Sequence, residues 1–338
     1  MKHNNTSIII WLLIGCGMIF AMVIIGGITR LTGSGLSMVD WNLFMGVVPP
    51  LNEVEWQKTF NDYKKYPEYQ LVNYNITLSE FKNIFYWEYI HRILGRLIGL
   101  VFIIPYMFFL LKKRFNTKLI FQTTILLLMG AAQGFFGWWM VKSGLVDKPD
   151  VSHYRLAVHL ITAFLTFAYT LWITLHLIYP KKLQYNQLLY KLSKVLFFII
   201  IIQIIYGAFV AGLNAGKVYN TWPKMHGEWI AESVYALSPF WKNFTEGIAG
   251  VQFIHRVLPI IIILITIYMY YKWKNQETYK MGKMAFIMLF SIISIQVVIG
   301  IFTLINAAPI MLALAHQICA FIMLGVSVFM MFCFKKIN

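Results

Sequence analysis

Charged side chains are scarce in this chain: 12% of its 338 residues are Asp, Glu, Lys or Arg, and 59% are hydrophobic. Soluble domains carry about 25% charged residues, so the composition excludes an ordinary soluble domain and indicates a polytopic membrane protein. The net charge of +16 does not indicate nucleic-acid binding, because the basic residues stand mostly in short clusters between apolar runs. We therefore expect a lipid bilayer around the chain and no nucleic acid as its partner.

Cysteine is also rare, since only Cys16, Cys319 and Cys333 occur and all three lie inside apolar runs. This placement excludes loop disulfides and CxxC zinc sites, and we expect these thiols to pack as small hydrophobic side chains. No small-residue cleavage site follows residues 8–25, which predicts an uncleaved first membrane span.

Eight apolar runs are long enough to cross a bilayer as helices of about 20 residues each. The basic clusters and most of the acidic residues lie in alternate loops, so the positive-inside rule predicts that both termini are cytoplasmic. The predicted fold class is an all-α integral membrane protein with eight transmembrane helices, over residues 8–29, 88–111, 119–140, 155–179, 193–213, 248–271, 283–305 and 311–334.

The first outer loop, about residues 30–87, is long and largely polar. Residues 56–69 of this loop predict a short amphipathic helix. Thr77 and Glu80 have the spacing of a capping box, which predicts that the second transmembrane helix begins outside the membrane.

The second half of the chain repeats the first. Four helices return the chain to its starting side, so the repeat predicts two tandem four-helix bundles, residues 1–180 and 181–338, related by a pseudo-twofold axis along the membrane normal. The aligned positions are Gly26 with Gly207, Ile90–Arg92 with Ile254–Arg256, Gln133 and Gly137 with Gln296 and Gly300, and His159 with His316.

Four of the eight histidines obey this repeat: His91, His159, His255 and His316. Each lies near the outer end of an even-numbered transmembrane helix, so each half offers two imidazoles at a similar depth. Two such imidazoles can ligate a haem iron from opposite faces, and helical bundles build such sites from inward-facing side chains. Zinc or copper is the alternative, although no thiolate or carboxylate accompanies either pair. We predict a haem in each half, with these four histidines as axial ligands of iron.

The residues around the histidines suit a flat macrocycle with two propionates. Gly95 and Gly99 follow His91 at helical spacing and predict a smooth face, whereas Pro259 replaces the first of these glycines in the second half. Guanidinium groups suit carboxylates, so we expect arginines at the outer ends to bind the propionates. They are Arg92 and Arg155 for the first haem and Arg256 for the second, with Arg30 and Arg96 nearby.

Glu88 distinguishes the two halves. It precedes His91 by three residues and shares its helical face, while the aligned residue in the second half is Gln252. An ionisable group beside one imidazole pair predicts the reaction site in the first half and a structural or electron-transfer haem in the second. The alternative interpretation is an interfacial anchor or a salt bridge to Arg92.

Together these motifs resemble the haem A synthase family over nearly the whole chain. The segment Met140–Leu145 is similar to the alphaproteobacterial and mitochondrial subfamily. Other branches carry cysteine pairs in outer loops, and this chain has none there, so a thiol-based role does not apply to it. The motifs are Gly26–Gly35, Glu88–Arg92, Gly137–Leu145, Tyr154–His159, Ile254–Arg256 and His316.

The resemblance implies oxidation of the C8 methyl group of haem O to a formyl group, through a hydroxymethyl intermediate, to give haem A for terminal oxidases. It implies that His91 and His159 bind the substrate haem, and that His255 and His316 bind a haem b cofactor. It also assigns catalysis to Glu88. The implied location is the bacterial inner (plasma) membrane, and the implied protein partners are haem O synthase, the cytochrome oxidase assembly machinery and an unidentified electron donor.

Two other functions fit the histidine pattern. A bis-histidine dihaem electron-transfer cytochrome would hold two permanent haems and convert neither, and the difference between Glu88 and Gln252 argues against it. A haem transporter would also use parallel repeats, but the sequence lacks paired broken helices near the membrane midplane.

Overall fold

The computed structural model describes residues 5–39, 48–146, 149–180, 185–274 and 280–336. Within these ranges the chain is helical, and its one extended pairing is an isolated bridge between Met225 and Glu228. The α-helices in these ranges are α1 (Thr6–Leu31), α2 (Glu53–Tyr63), α3 (Pro67–Leu71), α4 (Leu78–Leu111), α5 (Thr117–Lys142), α6 (His153–Ile178), α7 (Gln187–Gly212), α8 (Ile248–Trp273), α9 (Lys280–Ile305) and α10 (Ile310–Phe334).

Eight of these helices, α1 and α4–α10, are long and apolar enough to cross a membrane. They confirm the prediction of an all-α, multi-pass membrane protein. Helix α4 differs most from its predicted span because it begins at Leu78 and has 34 residues, more than the roughly 20 that a bilayer requires. Its capping box is present: the Thr77 amide donates to Glu80 Oε2 at 2.7 Å, and the Glu80 amide donates to Thr77 Oγ1 at 3.3 Å.

The loop before α4 forms two short helices where the sequence predicted one. The break lies between α2 and α3, because Pro67 begins α3 and cannot continue the preceding helix. Helix α2 buries Trp56 and Phe60 against Phe81 and Phe85 of α4. This aromatic cluster supports the N-terminal turns of α4 beyond the apolar run.

Three polar side chains are hydrogen-bonded to one another beside the same cluster. The Tyr63 hydroxyl donates to Glu68 Oε2 at 3.0 Å, and Asn73 Nδ2 donates to the Tyr63 oxygen at 2.9 Å. Burial raises the pKa of Glu68 to about 7, and the charge of Glu88 adds to the rise, while the hydrogen bond from Tyr63 opposes it.

The helices form two compact units, which we call the first unit (Gly17–Ala163) and the second unit (Met1–Cys16 with Phe164–Asn338). In the first unit α4 packs on α5 and carries α2, and in the second unit α7 packs on α8 and α10 packs on α7 and α9. The four-helix division at residues 180 and 181, and its pseudo-twofold axis, stay predictions.

Candidate haem sites

Each of the four repeat-related histidines lies against a glycine of the preceding membrane-spanning helix. A Cβ atom built on that glycine would lie closer to the imidazole than an ordinary van der Waals contact, so a larger residue there would push the ring from this position. The distances from such a Cβ are 3.0 Å to His91 Nε2 from Gly26, 3.3 Å to His159 Cε1 from Gly137, 3.3 Å to His255 Cε1 from Gly207, and 2.8 Å to His316 Cε1 from Gly300.

The second unit brings the rings of His255 and His316 together, with ring centres 6.2 Å apart and an interplanar angle of 75°. A metal–nitrogen bond is about 2 Å and the ring centre lies roughly 1 Å further, so two imidazoles on one metal would have centres roughly 6 Å apart. In addition, His316 Nδ1 is a buried atom without a hydrogen-bond partner among the described residues. The pair therefore fits an iron bound between two imidazoles.

Glutamine side chains stand beside three of the four imidazoles. In the second unit, Gln203 Nε2 lies 3.1 Å from His255 Nδ1, and Gln296 Nε2 lies 3.4 Å from His316 Nε2. In the first unit, the amide orientation that satisfies both ends of Gln133 places its nitrogen 3.3 Å from His159 Nδ1. A metal-bound imidazole keeps a proton on its other ring nitrogen and needs an acceptor there. Gln203 Oε1 and Gln296 Oε1 are buried without a hydrogen-bond partner among the described residues, so exchanging the two ends of either amide would let its oxygen accept that proton and orient the ring.

The first unit contains the other pair, His91 on α4 and His159 on α6. No group of three or more metal-binding side chains of the kind that holds zinc occurs in the described ranges. The chemistry of the residues present, two imidazoles and no thiolate or carboxylate ligand set, fits a haem iron better than a bare metal ion.

Glu88 is buried, with 3% of its surface exposed, and both of its carboxylate oxygens accept hydrogen bonds. Oε1 pairs with Arg92, whose Nη2 lies at 2.6 Å and Nε at 3.1 Å. Oε2 accepts from the Ser37 hydroxyl and from the Met38 amide, both at 2.8 Å. The salt bridge to Arg92 that the sequence allowed is therefore present, and the carboxylate also fastens the loop after α1.

Gln252 holds the corresponding loop of the second unit, but it donates the hydrogen bonds to the loop instead of accepting them. Its Nε2 donates to the carbonyls of Ala215 at 2.8 Å and Val218 at 2.6 Å, and its Oε1 accepts from Arg256 Nη2 at 2.9 Å. The glutamine thus donates to its loop, whereas Glu88 accepts from its own. The difference seen in the sequence is therefore a difference in how two similar loops are held.

A family model described as COX15-CtaA, a cytochrome oxidase assembly protein, matches residues 9–328. The chain belongs to the COX15-CtaA family. The curated "Heme A synthase" of Flavobacterium psychrophilum is 49% identical over 98% of this chain and 99% of its own length. That of Flavobacterium johnsoniae is 48% identical over 96% of this chain and 97% of its own length. That of Wolbachia pipientis wMel is 42% identical over 97% and 92%. These matches confirm the family resemblance.

The arginines of this COX15-CtaA protein make protein contacts at the positions where the sequence predicted propionate binding. Arg92 Nη2 donates to the Met38 carbonyl at 2.7 Å, and Arg256 Nη2 also donates to the Tyr219 carbonyl. Arg155 donates to the Trp139 carbonyl at 2.8 Å and lies over the Trp139 ring. Binding of propionates by these arginines stays a prediction.

The smooth face predicted after His91 is used in two ways in the COX15-CtaA structure. A Cβ on Gly95 would lie 3.1 Å from Met22 Cε, so Gly95 is a helix-packing position, whereas one on Gly99 would meet nothing within 4 Å. The repeat aligned the four glycines in pairs, Gly26 with Gly207 and Gly137 with Gly300, but did not predict that they touch the imidazoles.

Proposed function

We propose that this chain oxidises the C8 methyl group of haem O to the formyl group of haem A, through a hydroxymethyl intermediate. Relatives called "Heme A synthase" cover almost the full chain at 48–49% identity. The observation that carries the proposal is the histidine pair in each unit, with every imidazole set against a glycine. That arrangement suits a flat iron macrocycle bound between helices.

In the second unit, His255 and His316 would hold a haem b cofactor through its iron. The 6.2 Å separation of the ring centres supports this assignment. A haem bound there supplies one-electron redox chemistry. Arg256, one turn after Gln252, binds its propionates at the loop end of the site.

The first unit binds the substrate haem O through His91 and His159, with Arg92 and Arg155 near its propionates. The oxidation breaks C–H bonds of the methyl group, so the site needs a group that can accept and deliver protons beside it. Glu88 is a buried carboxylate three residues before His91 on α4. Arg92 holds Oε1, and Oε2 receives the proton through the Ser37 hydroxyl, which reaches it at 2.8 Å.

The proposal includes the membrane in which the chain lies, its orientation and its protein partners. The chain lies in the bacterial inner (plasma) membrane with both termini in the cytoplasm. Its halves, residues 1–180 and 181–338, form tandem bundles that relate by a parallel pseudo-twofold axis. Haem O synthase, the cytochrome oxidase assembly machinery and an electron donor are its protein partners.

Expression beside a haem O source tests the proposal. Cells that make haem O and no haem A receive the chain or its His91→Ala variant, and the extracted haems are separated by chromatography. We expect haem A with the natural chain and unchanged haem O with the variant. Unchanged haem O with the natural chain, present in the membrane and loaded with haem, would refute the proposal and leave an electron-transfer cytochrome or a transporter.

A further inference from the structure

The His91 site differs from the other three histidine sites in the residue that lies one helical turn before its contacting glycine. In those three sites a glutamine precedes the imidazole-contacting glycine by one helical turn: Gln133, Gln203 and Gln296 precede Gly137, Gly207 and Gly300. In the fourth site Met22 precedes Gly26 by the same spacing, on helix α1. Its Cε lies against Gly95, one turn beyond His91 on α4. A methionine therefore stands where the other sites place an amide.

The consequence for the imidazole is chemical. A thioether cannot donate a hydrogen bond and accepts only weakly, so Met22 cannot orient the ring as an amide does. No hydrogen bond to the His91 ring occurs in the described ranges, whereas Gln203 contacts the ring of His255 at 3.1 Å. Outer hydrogen bonds to a metal-binding imidazole typically contribute about 10–100-fold to metal affinity. His91 is therefore the ligand held least firmly by the protein.

We propose that His91 is the exchangeable ligand of the substrate haem and that Met22 is the positioning residue that keeps it exchangeable. The imidazole of His91 leaves the iron and a small neutral ligand of the dioxygen class binds in its place, while His159 stays bound. This inference rests on the proposed function, because it requires a haem in the first unit.

The geometry indicates on which side of the haem the incoming ligand binds. Glu88 lies three residues before His91 on α4, so the two share a helical face. A ligand bound on the His91 side is therefore on the side of the Glu88 carboxylate and the Ser37 hydroxyl, which are 2.8 Å apart. The second unit has no carboxylate at the aligned position and holds both of its imidazoles beside glutamines, so it does not exchange ligands.

Carbon monoxide is the probe for the test. The full chain is purified with haem b in both units, reduced without oxygen and titrated with carbon monoxide, and the change in the haem absorption spectrum is recorded per haem. We expect the natural chain to bind the gas at the first-unit haem. Met22→Gln supplies the missing amide and should weaken that binding about 10–100-fold. Met22→Leu, which has similar bulk and no amide, should bind as the natural chain does.

The reverse substitution, from glutamine to methionine, is made in the second unit. Gln203→Met removes the amide beside His255, and we expect carbon monoxide to bind at this haem also, which raises the spectral change per haem. The carbon monoxide titration of Gln203→Met still tests the inference if Met22→Gln does not accumulate in the membrane. Equal binding by Met22→Gln and Met22→Leu, or an unchanged spectrum of Gln203→Met, would overturn the inference.

Failure of the proposed function gives a different result. His159→Ala removes the ligand that we describe as fixed, so the haem content per chain should fall. An unchanged haem content in His159→Ala would mean that the first unit binds no haem, which contradicts the proposed function itself. A reduced haem content, together with equal carbon monoxide binding by the two Met22 variants, would contradict the exchangeable ligand alone.

Discussion

Two substitutions of Glu88 distinguish its contribution to stability from its proposed role in proton transfer. Glu88→Ala leaves the Arg92 guanidinium, 9% exposed, without the carboxylate that pairs with it at 2.6 Å. Glu88→Gln keeps an oxygen for that guanidinium, as Gln252 does for Arg256 at 2.9 Å in the second unit. The amide nitrogen of Glu88→Gln then faces the Met38 amide, which is a donor like itself.

The contacts set the expected magnitudes. Removing one partner of a buried ion pair costs about 3–5 kcal/mol, so Glu88→Ala should lower the free energy of unfolding by this amount. Glu88→Gln leaves one buried backbone donor, the Met38 N–H, without its acceptor, at a cost of about 1–3 kcal/mol. We therefore expect the two variants to differ by roughly 2 kcal/mol, while neither can receive a proton at position 88.

The assay combines unfolding with haem chemistry. Unfolding is followed in mixed micelles with increasing dodecyl sulfate, the haem content is measured per chain, and the haems made beside a haem O source are separated by chromatography. Both variants should keep the second-unit haem and make no haem A, and Glu88→Ala should unfold first. Normal haem A production by Glu88→Gln would refute the role of the carboxylate. Equal stability of the two variants would refute the reasoning about the buried ion pair.

Three further predictions concern the glycine contacts, the buried carboxylate of the outer loop and the second-unit loop. Gly300→Ala places a Cβ 2.8 Å from His316 Cε1 and should lower the haem content, whereas Gly134→Ala, with nothing within 4 Å, should not, as measured by the absorbance of the purified proteins. Burial raises the pKa of Glu68 from 4.5 to about 7, so the folded state binds its proton more tightly and stability falls as the pH rises from about 4.5 through 7. The change is about 3 kcal/mol, and an unfolding series from pH 5 to 8 should lose this slope in Glu68→Gln; an equal slope in both proteins would contradict the assignment. Gln252→Glu sets a carboxylate against two carbonyl oxygens now 2.8 and 2.6 Å from the amide nitrogen, so it should destabilise the chain more than Glu88→Gln does in the same micelle assay.

Much of the fold follows from hydropathy alone. The predicted spans agree with the helices because a backbone in lipid must satisfy its own hydrogen bonds, so each apolar run of this length forms a helix. The early start of α4 followed from Thr77 and Glu80, whose capping box is local in sequence. The division of residues 56–69 into two helices was missed, although Pro67 marks the place where α3 begins.

The candidate sites were predicted less completely, because their contacts join residues distant in sequence. The repeat identified His255 and His316, yet only the packed helices place their ring centres 6.2 Å apart. Similarly, the sequence singled out Glu88 by its charge but could not predict the bonds from Ser37 and Met38, fifty positions earlier in the chain. Such long-range partners depend on how α1 and its loop pack against α4, and no local pattern encodes that packing.

The unusual length of α4 has a practical consequence for imaging this molecule. Small membrane proteins hidden in a detergent belt lack features that allow particle images to be aligned. Helix α4 has 34 residues, roughly 50 Å at 1.5 Å per residue, against about 30 Å of hydrocarbon. Its N-terminal turns pack against Trp56 and Phe60 of α2 and extend the helix past the length that the hydrocarbon requires, so they offer an epitope. A nanobody raised against this epitope would add an alignment marker continuous with the helix that carries His91.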